Sequence, residues 1–421
     1  MGMHRMSDFS GELMRRMQAA GVGVRELSRR SGYSTGFISQ LRSGLRAPSP
    51  VTARDLDDAL GAGGVLAAAA SVGNGGQRVR RREFIGLTGA SVAGTVVARE
   101  HGSGIERLAL ALTGLGTASR DELTSDIAAL AAAADAARRN YQACRYAQLA
   151  GTLPGLLGRL NTACEIMTGG ARDHAHVLSA DVHHVAASLM LKLGDQGLAS
   201  LAADQSMRAA VTSGDPVAVG SSARIVTHAL MSGGHLPAAV TTATSHATRL
   251  DCDLPGKTPD TLSVYGSLLL RGAVAAADRD DRATAHELLD EAQDAARRLG
   301  IDGNLRWTAF GPVNVTLHRV NIAVTLGDAG TAIDLARRVD SGAIAVTERK
   351  AALLIDTARA FRQRGRHESA YLALRAAYEA APEEVTGRAS VRNLAGDIAA
   401  TAPPTLRRDA AAFAASIGAT P

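Results

Sequence analysis

Three polar side chains stand out in the segment FGPVNVTLHRVNIAV, residues 310–324. Asn314, His318 and Asn321 fall at i, i+4 and i+7, a single stripe on a helix otherwise rich in Val, Leu and Ile. An Asn side chain both donates and accepts hydrogen bonds, so such a stripe can clamp a peptide backbone without reading its sequence. Arg224 and Arg271 are suited to holding a carboxylate. Trp307 and Phe310, among few aromatics, would wall the same pocket. The competing reading is a stripe that satisfies helix ends or packs between helices.

Other chemistry-bearing residues lead nowhere so definite. The segment DHAHVLSADVHH carries His174, His176, His183 and His184, but with no H-x-x-x-H pair and no Cys partner it reads as a polar face rather than a metal site. Gly256, Lys257 and Thr258 imitate the end of a phosphate-binding loop, yet Asp251 replaces the upstream Gly and Pro259 follows. The three cysteines, Cys144, Cys164 and Cys252, have neither metal-ligand spacing nor a paired framework and suit a reducing compartment. No nucleophile–base signature and no dinucleotide fingerprint is present. The expectation is a protein that is not an enzyme and needs no cofactor or metal.

The elements that position these residues are helices. From Ile105 onward Ala and Leu dominate, and no alternating strand pattern appears. Breaks recur with a small or turn-forming residue followed five positions later by Ala: Gly194 and Ala199, Gly233 and Ala238, Asp280 and Ala285, Gly327 and Ala332, Gly365 and Ala370. Here the chain resembles tetratricopeptide-type helix pairs. The unit with Gly365, Ala370, Tyr371, Ala377 and Pro382 is nearest to the pattern, though the spacing of about 38–47 residues exceeds the usual 34. Stacked pairs present a concave groove lined by the first helix of each pair. The register then turns Asp181, His184, Ser188, Arg224, Thr227, Ser267, Arg271, Asn314, His318, Asn321, Asp356 and Arg359 toward that groove.

The amino-terminal segment GVGVRELSRRSGYSTGFISQLRSGLRAPSP, residues 21–50, reads as helix, tight turn and helix. Ser10 is expected to cap a preceding helix through Ala20, with Leu13 and Met17 inward. Leu27 faces inward, Gly32 supplies the turn, Ser34 or Thr35 caps the second helix, and Ile38 and Leu41 face the first. Gly44 ends that helix. With Pro48, and Leu56 and Leu60 downstream, these residues resemble the lambda-repressor-like (Xre type) helix-turn-helix family over about residues 10–66. Val24 stands where many relatives carry Gln. The resemblance implies DNA binding, with Thr35, Gly36, Ser39 and Gln40 toward base edges. A Gln can pair bidentately with adenine. Arg42, Ser43 and Arg46 would leave the helix end toward phosphates. Such a domain joined to helical repeats is similar to the peptide-sensing regulators of Gram-positive bacteria and to actinobacterial Xre-type regulators.

Charge distribution agrees. Residues 1–99 hold 14 Arg, no Lys and 7 Asp/Glu, a net +7, which leaves residues 100–421 at −2 within a total of +5. Basic side chains that neutralise phosphate supply most non-specific DNA affinity. The segment beginning Arg81-Arg82-Glu83-Phe84-Ile85 imitates a twin-arginine export signal, but such signals lie at the amino terminus. It reads instead as basic linker followed by a small-residue helix. No apolar run reaches the roughly 20 residues of a membrane span.

The sequence therefore predicts an all-α chain: a five-helix DNA-binding domain over 1–66, a basic Gly-rich linker over 67–104, and a tetratricopeptide-like superhelix over 105–421. It predicts a cytoplasmic homodimer on a two-half-site operator. The repeats sense a peptide or small-molecule effector through Arg224, Arg271, Asn314, His318 and Asn321. The alternative is a scaffold whose repeats hold a protein partner.

Overall fold

The computed structural model describes residues 8–31, 33, 38, 41–42, 48, 50–74, 104–113, 126–253 and 258–419. Every regular element among them is a helix, as expected. The chain divides into two units, Met1–Ser91 and Val92–Pro421.

The first unit contains α1 (Asp8–Ala19), α2 (Val24–Ser31), α3 (Pro50–Leu60) and α4 (Val65–Asn74). Leu13, Leu27, Ile38, Leu41, Leu56 and Leu66 are fully buried and form its core. Two expectations change. Ser10 is buried inside α1 rather than capping it. The domain also does not end at residue 66. Gly61, Gly63 and Gly64 all take positive φ and reverse the chain, so that α4 returns Leu66 and Ala70 to the core. The buried Asp57 carboxylate anchors this return, accepting the N–H of Gly64 at 2.5 Å and of Leu66 at 2.6 Å. The turn and recognition residues Gly32, Ser34, Thr35, Gly36, Ser39, Gln40, Ser43, Gly44 and Arg46 lie outside the described residues, as do residues 75–103 of the linker predicted over 67–104, whose positions 67–74 belong to α4.

The second unit begins with a short helix, α5 (104–112), and continues as helix pairs. These are α6 (Ile127–Gln142) with α7 (Tyr146–Ile166), α8 (Gly169–Leu193) with α9 (Gln196–Ser213), and α10 (Pro216–Ser232) with α11 (Leu236–Asp253). There follow α12 (Pro259–Asp278) with α13 (Arg282–Leu299), α14 (Pro312–Thr325) with α15 (Ala329–Arg338), and α16 (Thr347–Gln363) with α17 (His367–Ala380). A short α18 (Pro382–Gly387) leads to α19 (Ala389–Thr401) and α20 (Pro404–Ser416).

The turn inside each pair has one construction. Gly194, Gly234, Asp280, Gly327 and Gly365 are left-handed. The next residue's N–H then reaches back to a carbonyl of the first helix: Asp195 to Met190, His235 to Leu230, Asp281 to Ala276, Asp328 to Ala323 and Arg366 to Phe361, each at 2.8–2.9 Å. This closure satisfies carbonyls that a helix end would leave bare. Five residues after each left-handed position an alanine is fully buried: Ala199, Ala239, Ala285, Ala332 and Ala370. The predicted pair Gly233 and Ala238 is thus off by one. Gly233 is right-handed and Ala238 exposed, because Gly234 takes the turn. Cys144, also left-handed, with Arg145 N–H to Asn140 and Leu149 buried, adds a sixth turn whose residue types hid it. Asp195, Asp215 and Asp281 cap the helices that follow them.

The stack closes on itself. α6 packs on α16, and α8 packs on α18. Ala351 and Ala381, from the last pair and the turn that follows it, join the apolar core around Leu149 and Leu153. The buried Glu384 carboxylate seals the junction. It accepts from the Tyr146 hydroxyl at 2.5 Å, from Lys192 Nζ at 2.6 Å and from Arg388 at 2.9 Å.

Candidate functional site

The closed stack holds a cavity of about 380 Å³ that is partly open to solvent. Its wall comes from the first helix of every pair from α6 to α16, with Arg306 and Trp307 from the α13–α14 connection and Arg388 beyond α18. No second helix of a pair contributes, because each buries its small face against the first.

Most of the residues assigned to the groove reach this wall. Asp181, His184, Ser188, Arg224, Arg271, His318, Asn321, Asp356 and Arg359 all line it. Three do not. Thr227 and Ser267 are buried and bond to the carbonyls of Ala223 and Val264 in their own helices. Asn314 is buried off the wall, its Oδ1 without a hydrogen-bond partner. The stripe's first member is therefore core, while His318 and Asn321 on the same helix reach the wall. Phe310 is also core rather than wall. Its ring fills the space beside Gly266, where an added Cβ would lie 1.9 Å from Phe310 Cζ. Trp307 does line the cavity, with the Arg138 guanidinium 5.5 Å from its ring centroid.

Sequence reasoning missed Arg138, Tyr141, Lys192, His228, Arg306, Glu348, Arg349 and Arg388 on the wall. A signal existed for three of them. Lys192 lies one turn past Ser188, His228 one turn past Arg224, and Arg349 seven residues before Asp356, each continuing a recognised face. The rest are brought in by ring closure or by a loop.

The carboxylates on this wall are largely engaged. Asp181 pairs with Arg138, and Glu348 with Lys192 at 2.6 Å and Arg349 at 3.4 Å. Asp356 accepts from Asn321 at 3.0 Å and pairs with Arg359 at 3.5 Å. Burial raises the Asp181 and Asp356 carboxyls, which the facing arginines only partly offset. Burial works against the Lys192 charge, but Glu348 and Glu384 outweigh it and hold its pKa above the ordinary lysine value.

Arg224, Arg271 and Arg306 have no carboxylate in contact. Arg224 donates to His184 Nε2 at 3.3 Å, so that imidazole is the neutral acceptor. Nε of Arg224, Nε of Arg271 and Nη2 of Arg306 are buried without a hydrogen-bond partner. Burial, then Arg271 and Arg349, pull Arg224 down to about 9; burial, then Arg349, pull Arg271 down to about 10. His184 and His228 are held well below the ordinary histidine value by burial and by the arginines around them. His318 falls to about 3 for the same reasons, while its Nδ1 hydrogen donates to the Asn314 carbonyl at 2.9 Å.

Arg306 arrives by a strained route. Arg306, Trp307 and Ala309 take φ of 48°, 58° and 53°, a region that costs non-glycine residues about 1–3 kcal/mol each. The loop is held across the cavity mouth by Gln142, which accepts from Asn304 at 2.8 Å and donates to the Trp307 carbonyl at 3.3 Å.

In the first unit, Arg42 is exposed. Arg29 and Arg30 pair with Glu26 at 2.5 and 2.8 Å, and Arg15 and Arg16 with Glu12 at 2.7 and 2.8 Å, so these four form a solvated ion-paired face. The four sequence histidines do not converge: His174 is exposed, His176 half-buried, His183 core, and His184 lines the cavity. Among the described residues no three His, Cys, Asp or Glu side chains gather as a metal site, and no helix is long and apolar enough to cross a membrane.

Comparison with protein families matches residues 8–70 to a model described as a helix-turn-helix domain. The match ends within α4, in accord with the longer first unit. No curated protein matches the chain. The amino-terminal unit is thus a helix-turn-helix domain of the kind that supports DNA-binding regulation, followed by a helical-repeat unit with a cationic cavity.

Proposed function

We propose that this chain is a sequence-specific, Xre-type transcriptional regulator whose helical repeats sense a peptide or small effector. The observation that carries the reading is the polar cavity on the same chain as the helix-turn-helix domain. A cavity of about 380 Å³ lies within the range of small-molecule sites. The many charged side chains buried along the cavity wall favour such an effector over the alternative, a scaffold holding a protein partner.

Thr35, Gly36, Ser39 and Gln40 read bases, and Arg42, Ser43 and Arg46 hold phosphates. The protein acts as a homodimer on two half-sites about 34–36 Å apart. Effector binding selects one curvature of the stack and thereby the spacing of the two heads. A differential affinity of about 1–3 kcal/mol is enough for a useful switch.

Fluorescence anisotropy of the full-length protein on DNA upstream of its own gene, beside a scrambled duplex and over a salt series, tests this. A preference of about 10³ for the native duplex is expected, lost in Gln40→Ala while weak, salt-sensitive binding remains. Equal binding to every genomic fragment in a selection would sink the regulator reading.

A further inference from the structure

Resting on the reading of the cavity as an effector site, we infer the chemical class of the effector. It is a small organic oxyanion carrying at least two negative charges, of the polycarboxylate or phosphate-ester kind, held by Arg224, Arg271 and Arg306. Three independent features lead there.

The first is charge. Asp181, Glu348 and Asp356 are each paired with another cation, and Asp278 attracts Arg271, as Asp181 attracts Arg224 and Arg306, only at longer range than an ion pair. That leaves three guanidinium groups lining one cavity with no carboxylate in contact and with buried N–H groups unbonded. A buried polar donor without a partner is costly, and a buried cation more so. An oxyanion supplies both the counter-charge and the acceptors, and a guanidinium binds carboxylate or phosphate through two parallel hydrogen bonds.

The second is the histidines. Neutral His184 already accepts from Arg224 through Nε2, and neutral His318 keeps its proton on Nδ1. His184 thus orients Arg224 without cancelling its charge, as a carboxylate would, and His318 adds no counter-charge. The third is the loop that brings Arg306. Its left-handed residues are Arg306 and Trp307, which deliver one cation and one aromatic face to the cavity, and Ala309 just beyond them. Strain of this kind persists only where the surroundings enforce it, and it concentrates at ligand clamps. The Trp307 ring, Tyr141 and the apolar side chains of Ile225 and Leu317 supply surface for a carbon skeleton, which an inorganic ion would leave bare.

The test is thermal unfolding and titration calorimetry on the full-length protein with citrate, pyrophosphate and fructose 1,6-bisphosphate, each against sodium chloride at equal ionic strength. Citrate or fructose 1,6-bisphosphate is expected to bind saturably, more tightly than pyrophosphate, and raise Tm by about 5 °C at hundredfold excess over Kd. Whichever succeeds assigns the carboxylate or the phosphate source. Arg224→Gln, Arg271→Gln and Arg306→Gln should each abolish the rise. Without anion the first two should melt at or above the wild type, because each removes a buried cation that lacks a carboxylate. No rise beyond chloride, a rise unchanged in the variants, or ligand-free variants melting well below the wild type would overturn the proposal. Operator anisotropy with the saturating probe separates the two readings. Anion binding without change in operator affinity leaves the anion site standing and removes the effector role. An operator response to an uncharged ligand, with no anion binding, does the reverse.

Discussion

At the scale of single residues, Glu384 decides more than its sequence context suggests. It is fully buried, and its two oxygens take hydrogen bonds from Tyr146, Lys192 and Arg388, side chains from opposite ends of the repeat unit. A buried carboxylate of this kind is costly to desolvate but worse to lose, since its removal strands the cations around it. Glu384→Gln should cost about 3–5 kcal/mol, measured by urea unfolding of the full-length protein. A double-mutant cycle with Lys192→Met should show coupling well above about 0.5 kcal/mol; additivity would mean that the contact does not hold the stack closed. The arginines of the cavity obey the opposite logic. Arg138 and Arg359 have carboxylates and shape the wall, whereas Arg224 and Arg271 lack them and are available to a ligand.

Elements are set by their ends. Pairs turn where a left-handed residue lets an N–H reach a carbonyl of the preceding helix, and they pack where a buried alanine five residues later lets two helices approach. In the first unit the decisive end is the start of α4, where Asp57 accepts two backbone N–H groups. Asp57→Ala should leave both unsatisfied and destabilise α4 by about 1–2 kcal/mol, the upper part of the range for a lost cap. Native-state hydrogen exchange of the full-length protein should then show α4 amides exchanging about 5–30 times faster, with α12 unaffected. Unchanged exchange in α4 would show that the glycine-rich reversal alone fixes that helix.

For the whole molecule, closure of the stack buries three histidines along the cavity wall, and they should make stability depend on pH. His184, His228 and His318 are held below the ordinary value by burial and then by the neighbouring cations. Above about pH 6.5, where the unfolded chain is also neutral at these positions, their contribution is complete. As pH falls below that value the unfolded chain takes up protons that the native cavity refuses. Stability then declines by up to about 1.4 kcal/mol per pH unit for each histidine, and for His318 the decline continues to about pH 3. Asp181 and Asp356, raised by burial, take up protons first in the native state and offset part of the loss at lower pH. Glu348, held below the carboxylate range by Arg349 and Lys192 despite its burial, adds to it below about pH 4.3. Calorimetric melting between pH 7.5 and 5.0 should show Tm falling steadily. A flat profile would mean that the histidines are protonated in the native chamber.

The sequence by itself determined the class of fold, the helix-turn-helix core and most of the wall. Leu13, Leu27, Ile38, Leu41 and Leu56 are buried as their spacing requires, and nine of the twelve groove positions reach the cavity. These are properties of one helix at a time, written in a period of 3.6 residues and in the turn residues that set its phase. The tertiary structure alone decided that the stack closes, that Asn314 and Phe310 fall inside the core, that a strained loop brings in Arg306, and which arginines keep a carboxylate. Each of those depends on contacts between residues far apart in the chain, such as Lys192 with Glu348 and Gln142 with Asn304. No local period encodes such pairings. They follow from the curvature accumulated over all the repeats, and that is fixed only when every pair has packed on the next.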